Sequence, residues 1–203
     1  MSWTAIETLL HSSRREDRIC GILLSVKLID EIPNLTEIPE PVSELHVLRT
    51  IFKAVGVKFV TTMASCLSNQ SSSQYHTIGV AAVRILGSAC KYEEFRTVDA
   101  SGVQQLVELC FHEKLQNEEN LCLLIFSIIK FFVCCSSQSI FQALEAILAK
   151  ASNIKMTKPS TALRVVVDLI QIGNGMSTYF VSSNIHSGGL KSLLFQGIMN
   201  FVL

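Results

Sequence analysis

The order of apolar and polar positions along the chain reads as a succession of helices. Ile19, Ile22, Leu23, Val26 and Ile29 recur at spacings of three, one, three and three, which lines them up on one face of a helix that stops before Pro33. Helical spacing resumes at Val47, Leu48, Ile51, Phe52 and Val55, and further helices are predicted over 57–67, 75–91, 101–113, 118–136, 138–151, 159–172 and 188–203. Polar breaks separate them: SNQSSSQ, KYEEF, EKLQNEEN, NIKMTKPS and GNGMSTYFVSSNIHSG. No window sustains the strict alternation of a strand, so the expected class is all-α. Two four-residue stretches, Thr4-Ala5-Ile6-Glu7 and Ser13-Arg14-Arg15-Glu16, have the capping-box form in which the hydroxyl and the acid each take an otherwise unpaired amide at a helix start. Residues 32–42 (IPNLTEIPEPV) hold three of the four prolines and read as an extended connector.

Repetition carries more information than any single helix. Gly56-Val57-Lys58-Phe59-Val60, Gly102-Val103-Gln104-Gln105-Leu106 and Gly189-Leu190-Lys191-Ser192-Leu193 share a Gly, an apolar residue, two variable residues and an apolar one. The glycines lie 46 and then 87 residues apart, and Phe141-Gln142-Ala143-Leu144 supplies a middle copy without the Gly. Periods near 43 belong to two- and three-helix solenoid repeats of the HEAT and armadillo type, about four to five of which fit this length. In such a repeat the Gly closes one helix with a sharp turn and the next helix starts with its apolar face inward. The chain is therefore expected to be one armadillo/HEAT-like α-solenoid over residues 1–203.

VDASGVQQLVELC at 98–110 and NIHSGGLKSLLF at 184–195 resemble the start of the third helix of an armadillo repeat. REDRICGILLSVKLID (15–30), RTIFKAVGVKF (49–59) and YHTIGVAAVRILGSAC (75–90) resemble, in that order, the N-terminal region of the neurochondrin family. The likeness runs in order over roughly residues 3–200. It implies an armadillo-like helical-repeat protein of the cytoplasm, associated in animals with neurite outgrowth (neuron projection development), of which this chain corresponds to an N-terminal portion.

Composition narrows the functional classes. Of 203 residues 49% are hydrophobic and 17% charged, with 17 basic against 17 acidic, so the chain has ample apolar surface for a core and no global field to draw nucleic acid. The N-terminus carries Glu7 within its apolar stretch and has no small-residue cleavage site, and the seven cysteines are odd in number and lie mostly in apolar helical patterns. Both point to an intracellular protein in a reducing compartment, with buried free thiols. The most membrane-like stretch, LCLLIFSIIKFFVCC at 121–135, is fifteen residues long and contains Lys130, short of the roughly 20 that a span needs. Asn120, Ser127, Lys130 and Ser137 fall on one stripe, as expected of a buried central helix rather than a membrane span.

A search for chemistry returns no Walker A, dinucleotide, His-Glu-x-x-His, Gly-x-Ser-x-Gly or Cys-x-x-Cys motif. Gly173-Asn174-Gly175 and Ser187-Gly188-Gly189-Leu190-Lys191-Ser192 are read as turns rather than phosphate cradles. Cys110 and His112 are two residues apart, on different faces of a helix, and Cys134-Cys135 reads as packing. His11, His46, His76, His112 and His186 are scattered, with no partner nucleophile evident. Glu93-Glu94 and Glu118-Glu119 sit where a helix dipole favours acids, Arg164, Asp168 and Gln171 form a solvated stripe, and Arg14, Arg15 and Arg18 are offset by Glu16 and Asp17 into a mixed surface. No catalytic, cofactor or metal residues are assigned. The expected role is a non-enzymatic scaffold for one or more protein partners, since stacked helices generate binding surfaces directly.

The alternative is an assembly subunit. Residues 189–203 (GLKSLLFQGIMNFVL) form an apolar helix without a polar outer face, and charged groups thin from 13 in residues 1–50 to 5 in residues 151–203. Such an end is expected to stack on further repeats or on a partner chain, as in the front part of a longer solenoid.

Overall fold

The computed structural model describes residues 2–32, 43–68, 73–97, 103–112, 115 and 118–133. Among these, every regular element is helical, as the periodicity requires. The chain divides into two compact units, residues 1–95 and 96–203.

The first unit contains α1 (Trp3–Leu10), α2 (Arg15–Glu31), α3 (Glu44–Val55), α4 (Val57–Ala64) and α5 (Ser73–Ala89), with a 3-10 helix at Ser65–Ser68 extending α4. Neither capping box forms as expected. α1 begins two residues early, at Trp3 after Ser2, so Thr4 lies inside the helix and its carbonyl accepts from the Thr8 hydroxyl at 2.9 Å. At α2 the hydroxyl that acts is Ser12, not Ser13: it accepts from the Arg14 amide at 3.1 Å and donates to Asp17 at 2.7 Å, tying the loop to the first turn. Ser43 caps α3 by accepting from the His46 amide at 3.2 Å.

α2 is apolar over more of its circumference than the single stripe suggested. Ile22, Ser25 and Val26 are buried and Ile19, Leu23, Leu24, Leu28 and Ile29 half-buried, because α1, α3 and α5 all pack on this helix. The buried Ser25 hydroxyl donates to the Gly21 carbonyl at 2.8 Å and so brings no unpaired polar group into the core. At Gly21 the end of α1 approaches so closely that a Cβ would lie 3.0 Å from the Leu10 side chain and backbone nitrogen. Gly79 on α5 allows a still closer contact, with an added Cβ at 2.5 Å from Leu67 Cγ and 2.8 Å from Leu67 N.

Gly56 ends α3 and starts α4 at φ 76° and ψ 158°, a backbone region that is essentially glycine's alone. The axes turn by 93° there, and Val57 and Val60 open the next helix buried. The turn expected of the first Gly-apolar pattern is thus the turn observed.

The second unit contains α6 (Val103–Cys110) and α7 (Glu119–Val133), which pack on each other. α6 starts directly after Gly102, as α4 starts directly after Gly56, and the fourth residue after each glycine, Leu106 or Val60, is buried. α4 and α6 are both 8 residues long, and their long successors, α5 and α7, begin at Ser73 and Glu119. Both helix starts are therefore offset by the 46 residues that separate the glycines. α7 buries Ile125, Ile128 and Ile129 completely. Asn120 and Ser127 face outward as their spacing indicates, Lys130 is half-buried, and Leu123 and Leu124 widen the open stripe. No single helix among the described residues is long and apolar enough to cross a membrane.

Candidate functional site

Within the first unit, α2 and α5 run beside each other and leave a groove of about 370 Å³. Leu23, Val26, Lys27 and Asp30 line it from α2, spaced three, one and three; His76, Thr77, Val80, Ala81 and Arg84 line it from α5, spaced one, three, one and three. Each set is a single helical stripe. Val26 and Ala81 are buried and form the floor, whereas Leu23 and Val80 are half-buried and present apolar walls to anything that enters. An Arg84–Asp30 ion pair closes one end. The stripes therefore run in the same direction, and the seven residue steps from Leu23 to Asp30 give the groove a length of about 10 Å.

The charged groups at the rim are paired. Asp30 is engaged by Arg84, while Lys27 has its ammonium 3.9 Å from Glu31, with the lysine side chain 75% exposed. His76 stands exposed at the opposite end, and the Thr77 hydroxyl is turned to the Ser73 carbonyl at 3.1 Å. This is an apolar slot with two opposed charge pairs at its edge. No single motif announces it, because its two stripes lie more than 40 residues apart in the chain; the signal in the sequence is the apolar-then-charged order within each helix.

A second polar cluster joins α3 to the segment after α5. Lys91 donates to both Glu44 oxygens at 2.8 and 3.1 Å, and the Tyr92 hydroxyl donates to the same carboxylate at 3.1 Å. Partial burial pushes the Glu44 carboxyl up, but hydrogen bonds from Lys91, Ser88 and Tyr92 outweigh it and leave the group below its usual value. Arg49 forks onto Glu94 at 2.7 and 2.5 Å, and this bond holds the Glu94 carboxyl low and the guanidinium high. The helix dipole is therefore not the main partner of Glu94; an arginine 45 positions earlier is. Phe95 is buried against Phe52, with ring centroids 5.1 Å apart, so KYEEF leads into a packed 3-10 helix at Glu93–Thr97 and is not a plain polar break. With every carboxylate bonded, the cluster reads as a strap.

The arginines of α2 also depart from a mixed solvated surface. Arg14 reaches Asp17 at 3.9 Å, but the Arg18 guanidinium lies 4.8 Å over the Phe59 ring with Nε buried and without a hydrogen-bond partner. Stacking on an aromatic face is a guanidinium's alternative to an ion pair.

The buried thiols Cys90 and Cys110 are poorly suited to nucleophilic chemistry. Burial pushes Cys110 well above its ordinary value, with Cys122 adding to the effect, and burial alone pushes Cys90 up to about 12. The Cys122 thiol donates to the Leu115 carbonyl at 2.9 Å. A thiol held neutral is neither a good nucleophile nor a metal ligand. His112 lies close by in sequence, its Nδ1 buried and unpartnered. No three His, Cys, Asp or Glu side chains gather to hold a metal among the described residues. Of the other histidines, His11 donates from Nδ1 to the Glu7 carbonyl at 2.9 Å, His46 meets Trp3 edge-on at 5.9 Å, and His76 lines the groove. His186, Cys134-Cys135, Gly173–Gly175, Ser187–Ser192, Arg164, Asp168, Gln171 and the apolar 189–203 segment lie outside the described residues.

Compared with known proteins, the chain matches no family model, no curated protein and no solved structure.

Proposed function

We propose that the chain is a non-enzymatic protein-interaction module of the armadillo-like helical-repeat type, and that the α2/α5 groove is one place where a partner docks. The groove carries the reading: half-buried apolar walls, Leu23 and Val80, flank a buried floor, and ion-paired charged groups stand at its edge. Such a slot takes an anchoring side chain and offers no paired nucleophile and base within it. The repeat reading draws support from the shared register of α4 with α6 and of α5 with α7, since solenoids reuse one helix pair at a fixed period. The sequence likeness to the neurochondrin family adds a proposed cytoplasmic setting and, in animals, a part in neurite outgrowth.

The test is quantitative affinity capture from cytosol with the intact chain and a Val80→Arg variant side by side. A reproducible set of proteins retained by the wild type and lost from the variant is the expected result. Identical sets would remove the groove from the proposal, and no specific protein on either would remove the interaction role.

A further inference from the structure

We infer that residues 91–95 form a latch on α3 that opens separately from the rest of the first unit: exchanged charges hold it shut, and its lifting uncovers the Phe52 ring while the helices beneath stay folded. The contacts that hold it down follow one order along both elements. Glu44, Arg49 and Phe52 of α3 meet Lys91 with Tyr92, then Glu94, then Phe95, so acid faces base, base faces acid and ring faces ring. On α3 these three positions span eight residue steps, about 12 Å of helix.

Two features set this segment apart from the core it lies on. Its backbone bonds are local, with the Lys91, Tyr92 and Phe95 amides donating to the Ser88, Ala89 and Tyr92 carbonyls at 3.2, 3.0 and 3.2 Å, turns that so short a stretch does not sustain once it leaves its support. Its charged ties to α3 stand near water, for the Lys91 side chain is 61% exposed and that of Arg49 60%. Salt weakens such pairs, since the screening length falls from about 10 Å at 0.1 M to about 3 Å at 1 M. The core beneath is different: Ile22, Val60, Met63, Ile85 and Leu86 are held by apolar burial, which has no charge to screen. Phe95 makes the shut state the resting one, because it is buried against Phe52 and lifting the segment wets both rings. Contacts of the weaker kind open locally, ahead of global unfolding.

Hydrogen exchange of the intact chain, read by mass spectrometry on peptides covering 90–95 and the middle of α5, tests this at about 0.05 M and about 1 M sodium chloride. With rates normalised to an unstructured peptide, the amides of 90–95 should exchange about fivefold faster or more at high salt, while those of α5 stay unchanged. Arg49→Glu sets like charges against each other at an exposed position where folding is not at risk, and should speed exchange of 90–95 about tenfold at low salt. Combining Arg49→Glu with Glu94→Arg exchanges the two charges and should bring the rate back to within about threefold of wild type. If 90–95 and α5 accelerate together, the segment opens only with the whole unit and the latch is overturned. A segment that responds neither to salt nor to Arg49→Glu is not held by its charges, and a double variant as fast as the single one shows that the pairing is not what counts; either result overturns the inference.

Discussion

Gly79→Ala tests the closer of the two helix approaches made at Gly21 and Gly79. The new Cβ would lie 2.5 Å from Leu67 Cγ, 3.0 Å from Cδ2 and 2.8 Å from the Leu67 backbone nitrogen. A side-chain conflict can relax by a rotamer change, but Leu67 is buried, and its nitrogen belongs to the 3-10 helix and can retreat only if Ser65–Ser68 shifts. Overpacking of this kind costs about 1–3 kcal/mol, and the backbone component places Gly79 in the upper half of that range. Alanine returns about 1 kcal/mol of helix propensity to α5. The net loss is then about 1–2 kcal/mol, and with a urea dependence of about 2 kcal/mol per molar the midpoint falls by about 0.5–1 M. Trp3 is the only tryptophan and sits in α1, so its fluorescence reports on this unit. Truncating the neighbour separates the two parts of the clash. On a Leu67→Ala background, Gly79→Ala should cost about 1 kcal/mol less than it does alone, because the conflicts with Cγ and Cδ2 are gone while that with the nitrogen persists. A Gly79→Ala protein with a midpoint at or above the wild type would mean that propensity outweighs contact, and the close packing of α5 on Ser65–Ser68 would have to be abandoned.

Gly21→Ala meets Leu10 at 3.0 Å, a milder conflict set against the same propensity gain, so it should fall within about 1 kcal/mol of wild type in the same urea assay and clearly above Gly79→Ala. Glu44→Gln should lower stability at pH 7 by under about 1 kcal/mol, and the gap to wild type should close in acid. The sign follows from the folded carboxyl lying below its usual value of 4.5: the unfolded chain takes up the proton first as pH drops, so the stabilisation is full above that value and drains below it, which pH-dependent urea melts would show. Brief alkylation of the native protein at pH 8, read by mass spectrometry, should mark the exposed Cys20 and spare Cys90 and Cys110 until urea is added; early labelling of Cys110 would contradict its burial.

What could be read from the chain beforehand was whatever repeats within a few residues. The helical spacing of α3 and α7, the turn at Gly56 and the outward stripe through Asn120 and Ser127 are all local patterns, and the structure reproduces them. Local hydroxyl chemistry was less legible, because Ser12 and Ser13 offer the same group and only the path of the loop selects between them. The groove and the strap were not legible. Asp30 meets Arg84 and Glu44 meets Lys91 across 54 and 47 positions, and nothing in either neighbourhood announces the partner. Arg18 shows the same limit, since its sequence neighbours promise ion pairs while the fold supplies the Phe59 ring.

The glycines offer the most direct test of the repeat proposal, because glycine can matter for two unrelated reasons. At Gly79 the reason is space, whereas at Gly56 a Cβ would meet nothing within 4 Å and the reason is φ 76° alone. Gly56→Ala should therefore cost about 1–3 kcal/mol of pure backbone strain, with no relief from truncating any neighbour. If the Gly-apolar pattern marks one turn used again at each period, Gly102→Ala and Gly189→Ala must show the same signature: a similar loss, insensitive to neighbouring side chains and not recovered by helix propensity. Chance recurrence of helix caps predicts instead that the three sites behave independently, some near neutral and some clashing. Circular dichroism during urea unfolding follows all three in the intact chain, and substitutions at Gly102 and Gly189 that leave stability unchanged would dissolve the 46-residue register into coincidence.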